Sequence, residues 1–157
     1  MGEEGHCHHS TLSKQCDRRH NKAHCLYTGS GEPAAYFRMN ISVIICTKDR
    51  HLELSRLINS LNVQTLIPDE LIIIDASVDD DTGTHVKGSS ELSRYPIKYI
   101  KSSPGLTKQR NIGIREAKGK YVFFFDDDVV LDSDYIRIIM ETFSHLQGVQ
   151  LGGLTGR

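Results

Sequence analysis

The sequence predicts an α/β protein with a mostly parallel sheet flanked by helices. Three observations predict it. Apolar runs rich in strand-forming residues at 41–46, 70–75 and 121–125 have the length of strands buried on both faces, as in parallel sheets. Stretches with apolar residues at i, i+3, i+4 and i+7 fall between and after those runs, which is the helical period. Strands and helices that alternate along the chain form right-handed strand–helix–strand units.

The elements follow in order. Residues 41–46 make a first strand, and 47–50 a strand-to-helix loop in which Asp49 is placed to cap the helix. Leu54, Leu57, Ile58 and Leu61 give that helix one apolar face. Pro68 ends the unit, and 70–75 is the second strand. Residues 76–88 read as a polar loop that includes Asp79, Asp80 and Asp81, with a weak helix from Val86 to Ser93. The alternation in 96–101 marks a third, less buried strand, and 102–105 a turn. A helix over 106–118 carries Arg110, Gly113, Ile114 and Ala117 on one face and places Gly119 at its C′ position. The strand 121–125 then runs into Asp126, Asp127 and Asp128. Asp132 or Ser133 caps a last helix with Ile136, Ile139, Met140 and Phe143 on one face, and 149–151 begins another strand. Four strands and three good helices make about half of a large α/β domain, so the chain reads as a fragment.

At 157 residues, one domain is expected. A 38% hydrophobic, 25% charged chain of net charge −1 points to neither nucleic acid nor a membrane surface as partner. No apolar run approaches the ~20 residues of a membrane span. The N-terminus has neither a secretory signal nor the residue pattern of a myristoylation site, since His6 stands where Ser or Thr is needed. The expectation is a cytoplasmic protein, peripheral to a membrane only through parts outside this chain. Residues 1–39 stand apart. They are polar, show no apolar period, and hold Cys7, Cys16 and Cys25 with five of the eight histidines. They read as a disordered tail or as sequence upstream of a true start at Met39. The spacing from Cys16 through His20 and His24 to Cys25 admits a zinc module, although the paired spacing of structural zinc sites is missing.

Ligands of open α/β sheets bind at the carboxyl ends of the strands. The first strand brings Thr47, Asp49 and Arg50 there, the second Asp75 and Ser77, the helix before the fourth strand Arg110, and the fourth strand its three aspartates. Arginine matches a diphosphate by bidentate hydrogen bonding, and a strand-end carboxylate accepts from ribose hydroxyls or a base imide. Three adjacent acids call for a counter-charge, and a hard cation, Mg2+ or Mn2+, completed by a diphosphate supplies it. Strand alternation pairs Asp126 with Asp128 on the cation and turns Asp127 away, as a structural or solvent-facing residue. Plainer roles exist for the others. Asp49 and Asp75 serve as caps or turn formers, Ser77 as a turn residue, Arg110 as a solvated helix residue, and Asp79–Asp81 as a solvated loop. Cys46 reads as core. There is no glycine-rich phosphate loop and no Ser/His/Asp or Cys/His nucleophile set in 40–157.

Taken together, the segments 42–50, 57–65, 69–77, 109–113, 117–121 and 125–128 resemble glycosyltransferase family 2, over about residues 40–153. The resemblance implies the GT-A fold. It makes 40–157 an incomplete nucleotide-sugar-binding half-domain, with Thr47, Asp49, Arg50, Asp75 and Arg110 around the nucleotide. Asp126–Asp128 then matches the D-x-D motif, with Asp126 near the ribose or metal and Asp128 on the divalent cation. The implied activity is inverting, metal-dependent transfer of a sugar from a nucleotide-diphosphate donor to a hydroxyl of a saccharide or lipid-linked acceptor. Cell-surface polysaccharide or glycolipid synthesis is the implied setting. The catalytic base is expected beyond Arg157. The alternative is a nucleotide-sugar-binding fragment without turnover. Two positions depart from the family, which often has Asn at Asp49 and a second Asp at Ala76.

Overall fold

The structure, a computed structural model, describes residues 40–146 and 151–156. The expectations for residues 1–39 (the tail, the zinc module and the start at Met39) lie outside the described residues, as does most of the strand expected at 149–151.

The element order is β1 (Ile41–Thr47), α1 (His51–Asn62), β2 (Glu70–Asp75), α2 (Asp81–Leu92), β3 (Ile97–Lys101), α3 (Leu106–Glu116), β4 (Tyr121–Asp126) and α4 (Tyr135–His145). The four strands form one parallel sheet in the order β3-β2-β1-β4. Alternation along β1 and β2 sends side chains to two apolar layers. Ile41, Val43, Ile45, Leu71 and Ile73 meet Leu54, Leu57, Ile58 and Leu61 of α1, Val86 of α2, and Ile136 and Met140 of α4. On the other face Ile44, Ile72 and Ile74 meet Ile112 of α3 and Ala117. Each fully buried Leu or Ile contributes about 1.5–3 kcal/mol relative to an exposed one, so the twelve at under 2% exposure are the main driving force for packing the helices on this sheet.

The register aligns the site. Thr47 pairs with Asp75, Asp75 with Lys101, and Cys46 with Asp126, so the four strands end together at one edge.

Several sequence expectations change. β4 is not buried on both faces: Val122 is 38% and Phe124 41% exposed. The strand lies at the sheet edge with Tyr121, Phe123 and Phe125 turned to the core, so a continuous apolar run here is a half-covered edge strand. α2 begins at Asp81, inside the expected loop. The inward face of α3 is Gln109 and Gly113, with Ile114 at 51% exposure. A Cβ on Gly113 would meet Ile44 Cγ2 at 2.4 Å, so the glycine lets α3 lie against β1. Gly119 is not a left-handed C′ residue. α3 ends at Ala117 in extended conformation, and a Cβ on Gly119 would come within 2.5 Å of the Ser42 nitrogen. Its role is close approach, sealed by Gly119 N–H donating to Ser42 Oγ at 2.7 Å. Neither α1 nor α4 has a side-chain cap; the residues before them are Arg50 and Asp134.

Candidate functional site

The β1–α1 turn sets the geometry. Asp49 has φ 56°, the one positive φ of a non-glycine residue among those described. Asn, Asp and Gly hold this left-handed conformation most readily. Asp49 is therefore a backbone device rather than a helix cap, and Asn at the family position meets the same requirement. Its N–H donates to Ser77 Oγ at 2.8 Å, tying the ends of β1 and β2 together.

Past this turn, Arg50 reaches the aspartates. Its Nη1 lies 3.1 Å from Asp127 Oδ1 and 3.2 Å from Asp128 Oδ2. Those carboxylates, Asp127 foremost, raise its already high pKa. Thr47 Oγ1 donates to Asp127 Oδ2 at 2.8 Å. Asp127 thus does not face away. It is the buried member of the triplet, because β4 stops at Asp126 and a turn, not strand alternation, orients the next two residues. Asp126 and Asp128 are the exposed pair, with side chains 70% and 55% accessible. Asp126 Oδ1 meets Arg110 Nη2 at 3.4 Å, and the Arg110 guanidinium lies 6.0 Å from the Phe124 ring centre. The counter-charge for the triplet in this structure is the two arginines. Their exposed pairs are worth about 0–1 kcal/mol each and are readily exchanged for another anion.

Asp75 stands at the sheet edge, as expected, but is enclosed there. Its side chain has no accessible surface, and both oxygens are taken. Oδ1 accepts from the Ser77 N–H at 2.8 Å and from the Ser77 hydroxyl; Oδ2 accepts from the Tyr99 hydroxyl at 2.6 Å and faces Lys101 Nζ at 3.4 Å. Burial pushes its pKa up, but these donors outweigh burial and hold it below the usual carboxylate value. In this structure the carboxylate anchors the loop that carries Ser77. Ser77 is itself buried.

Sequence reasoning passed over Gln109, Tyr99 and Lys101. Buried Gln109 donates from Nε2 to the carbonyls of Thr47 at 3.1 Å and Ile74 at 2.9 Å. It closes the ends of β1 and β2 under α3 and so places its neighbour Arg110. A glutamine directly before the helical arginine was the available signal. Cys46 is half-buried, and burial raises its thiol pKa, in keeping with a packing role.

The described residues contain no cluster of three or more His, Cys, Asp or Glu that would hold a metal by protein ligands alone. The donor set that is present suits a hard cation completed by a ligand. Asp126 and Asp128 offer exposed carboxylate oxygens, which favour Mg2+ or Mn2+, and further oxygens would come from a diphosphate and water. The site is an open edge. Concavities of about 340 Å³ between α1 and α2 and about 570 Å³ along β4 and α4 are not lined by the triplet.

The family model described as "Glycosyl transferase family 2" matches residues 42–152. The chain belongs to this family. It is 36% identical over 93 residues to the uncharacterized glycosyltransferase YwdF of Bacillus subtilis, covering 57% of this chain and 33% of that protein. Its fold is similar to that of the Pyrobaculum calidifontis mannosyltransferase PcManGT, solved with GDP-Man and Mn2+, at a TM-score of 0.61 and 19% identity over 67% of this chain and 32% of that one. Staphylococcus aureus TarS 1–349, solved with UDP-GlcNAc, matches at a TM-score of 0.55 and 22% identity over 75% of this chain and 37% of that one. The fold is GT-A, and the chain spans about a third of the length of these relatives. No helix among the described residues is long and apolar enough to cross a membrane.

Proposed function

We propose that this chain is the donor-binding half of a metal-dependent, inverting glycosyltransferase. The donor is a nucleotide-diphosphate sugar and the acceptor a hydroxyl of a saccharide or lipid-linked substrate, in cell-surface polysaccharide or glycolipid synthesis. One observation carries the reading. Two exposed carboxylates, Asp126 and Asp128, share a sheet edge with two arginines, Arg50 and Arg110, that they neutralise only loosely. In a family of glycosyl transferases, that is an arrangement for a diphosphate and its cation.

Asp128 and Asp126 would hold Mg2+ or Mn2+, which supplies Lewis-acid stabilisation of the leaving diphosphate when bound. Arg50 exchanges Asp128, and Arg110 exchanges Asp126, for phosphate oxygens, while Asp127, held by the Thr47 hydroxyl, keeps its bond to the Arg50 guanidinium. Asp49 shapes the turn under the nucleotide through its backbone. Asp75 and Ser77 support that turn from below rather than touching the donor. Proton removal from the acceptor is assigned to no residue of this chain.

Calorimetry tests the reading. The chain is expected to bind UDP or GDP in the presence of Mn2+ and to lose that binding on addition of EDTA or in Asp128→Ala. Affinity unchanged by both would remove the metal assignment, and no binding to either diphosphate would remove the donor site.

A further inference from the structure

We infer that Tyr99 and Lys101 of β3 are positioning residues for the donor site, acting through Asp75 and Ser77 on the left-handed turn at Asp49; this rests on the donor-site reading above. Neither side chain bonds to Asp126, Asp127 or Asp128. They act through a chain of fixed contacts. The Tyr99 hydroxyl donates to Asp75 Oδ2 at 2.6 Å, and Lys101 Nζ sits 3.4 Å from the same oxygen. Lys101 also donates to the carbonyl of Ser77 at 2.9 Å and to that of Asp79. With Oδ2 occupied, Oδ1 is presented to the Ser77 N–H and hydroxyl.

A hydroxyl has one hydrogen. With that hydrogen on Asp75, Ser77 Oγ acts only as an acceptor. It receives the Asp49 N–H at 2.8 Å and, at 3.2 Å, the Thr82 hydroxyl. The Asp49 N–H thereby gains its acceptor in a backbone conformation that a non-glycine residue keeps only when its surroundings fix it. The next residue is Arg50, whose guanidinium spans Asp127 and Asp128. The direction of the Ser77 hydroxyl, set from β3, is thus transmitted to the arginine that faces the diphosphate.

Two further features keep Tyr99 in this role. Gly83 of α2 leaves room for it, since a Cβ there would lie 3.3 Å from the Tyr99 hydroxyl oxygen. Burial and the adjacent Asp75 raise its pKa above the usual value, in keeping with a hydroxyl that donates to a carboxylate.

The test uses Tyr99→Phe, Lys101→Met and Arg50→Ala in the whole chain. Hydrogen exchange without ligand is read first. Tyr99→Phe is expected to speed exchange of the Asp49 amide by about tenfold, the factor for one modest hydrogen bond, and to leave the Leu57 amide inside α1 unchanged. An unchanged Asp49 amide, or equal acceleration at Asp49 and Leu57, overturns the inference, because the second result is global loss of stability. Calorimetry with Mn2+ and whichever of UDP and GDP binds is read next. Tyr99→Phe and Lys101→Met are each expected to weaken binding by about fivefold to tenfold on the same scale, but by little in an Arg50→Ala background. Losses that simply add to that of Arg50→Ala show that β3 does not act through Arg50. If the unaltered chain binds neither diphosphate, the donor-site reading has failed, and the effect of β3 on the turn is decided by the Asp49 amide alone.

Discussion

Asp75→Asn separates an anchor from a ligand. The native carboxylate is fully enclosed; Oδ1 takes two donors, and Oδ2 takes the Tyr99 hydroxyl and faces the Lys101 ammonium. Asparagine keeps the shape but offers one acceptor oxygen and an NH2 group. With its oxygen toward Ser77, the NH2 faces Tyr99, whose hydroxyl can turn to accept, and Lys101, which cannot. The ammonium then loses its carboxylate 3.4 Å away while remaining only 37% exposed. Losing one charge-assisted hydrogen bond at a buried position costs about 1.5–3 kcal/mol, and the weakened Lys101 contact adds up to about 1 kcal/mol. Urea unfolding followed by circular dichroism should show a loss of about 1.5–4 kcal/mol at pH 7, as a lower midpoint with an unchanged slope. The pH dependence has a fixed sign. Because the folded-state pKa of Asp75 is depressed, its contribution is present above the unfolded carboxylate value of about 3.9 and is lost as pH falls through the lower folded value. Asp75→Asn should flatten that acid limb. A variant within about 0.5 kcal/mol of the native chain that nevertheless fails to bind nucleotide would show that the carboxylate is a ligand with little structural role.

Three other outcomes are expected. Asp49→Asn should be near neutral in thermal melts, whereas Asp49→Val should cost about 1–3 kcal/mol, because a β-branched residue does not adopt φ 56° without strain. Gly119→Ala should cost about 1–3 kcal/mol in urea unfolding, because its Cβ would sit 2.5 Å from the Ser42 backbone nitrogen and force β1 and the α3–β4 loop apart. Above pH 10 the chain should lose stability in melts run at successive pH values. Burial raises the Tyr95 hydroxyl to about 12, so its contribution is full below the unfolded value of about 10 and disappears as pH rises through about 12.

The alternation of strands and helices was legible because each element carries a clean period: Leu54, Leu57, Ile58 and Leu61 are all buried, as their spacing requires. β4 misled because Tyr121–Phe125 lacks the polar alternation of an ordinary edge strand, and neighbouring strands are not written in a strand's own residues. The residues gathered at the sheet edge were also legible, since strand ends in a parallel sheet share one edge. Their individual duties were not. Strand alternation ends at Asp126, two residues short of Asp128, so it does not orient Asp127, which a turn directs to Thr47 and Arg50. The anchoring contacts of Asp75 are not legible in the sequence, because its partners Tyr99 and Lys101 lie on another strand and only the β2–β3 register brings them together. Gln109 and Gly119 act through distances of closest approach, which spacing along the chain does not report.

The proposed donor site gathers a diphosphate and its cation at Asp126–Asp128 between Arg50 and Arg110. Paramagnetic broadening of amide signals by Mn2+, with UDP or GDP present, tests it most directly. Asp126, Asp128, Arg50 and Arg110 are expected to broaden together and at the lowest Mn2+ level, only when diphosphate is present, ahead of Ile136 and Met140 in the buried face of α4. Broadening centred elsewhere, such as the α1–α2 groove around Asn59 and His85, or none at these four residues with diphosphate bound, would contradict it.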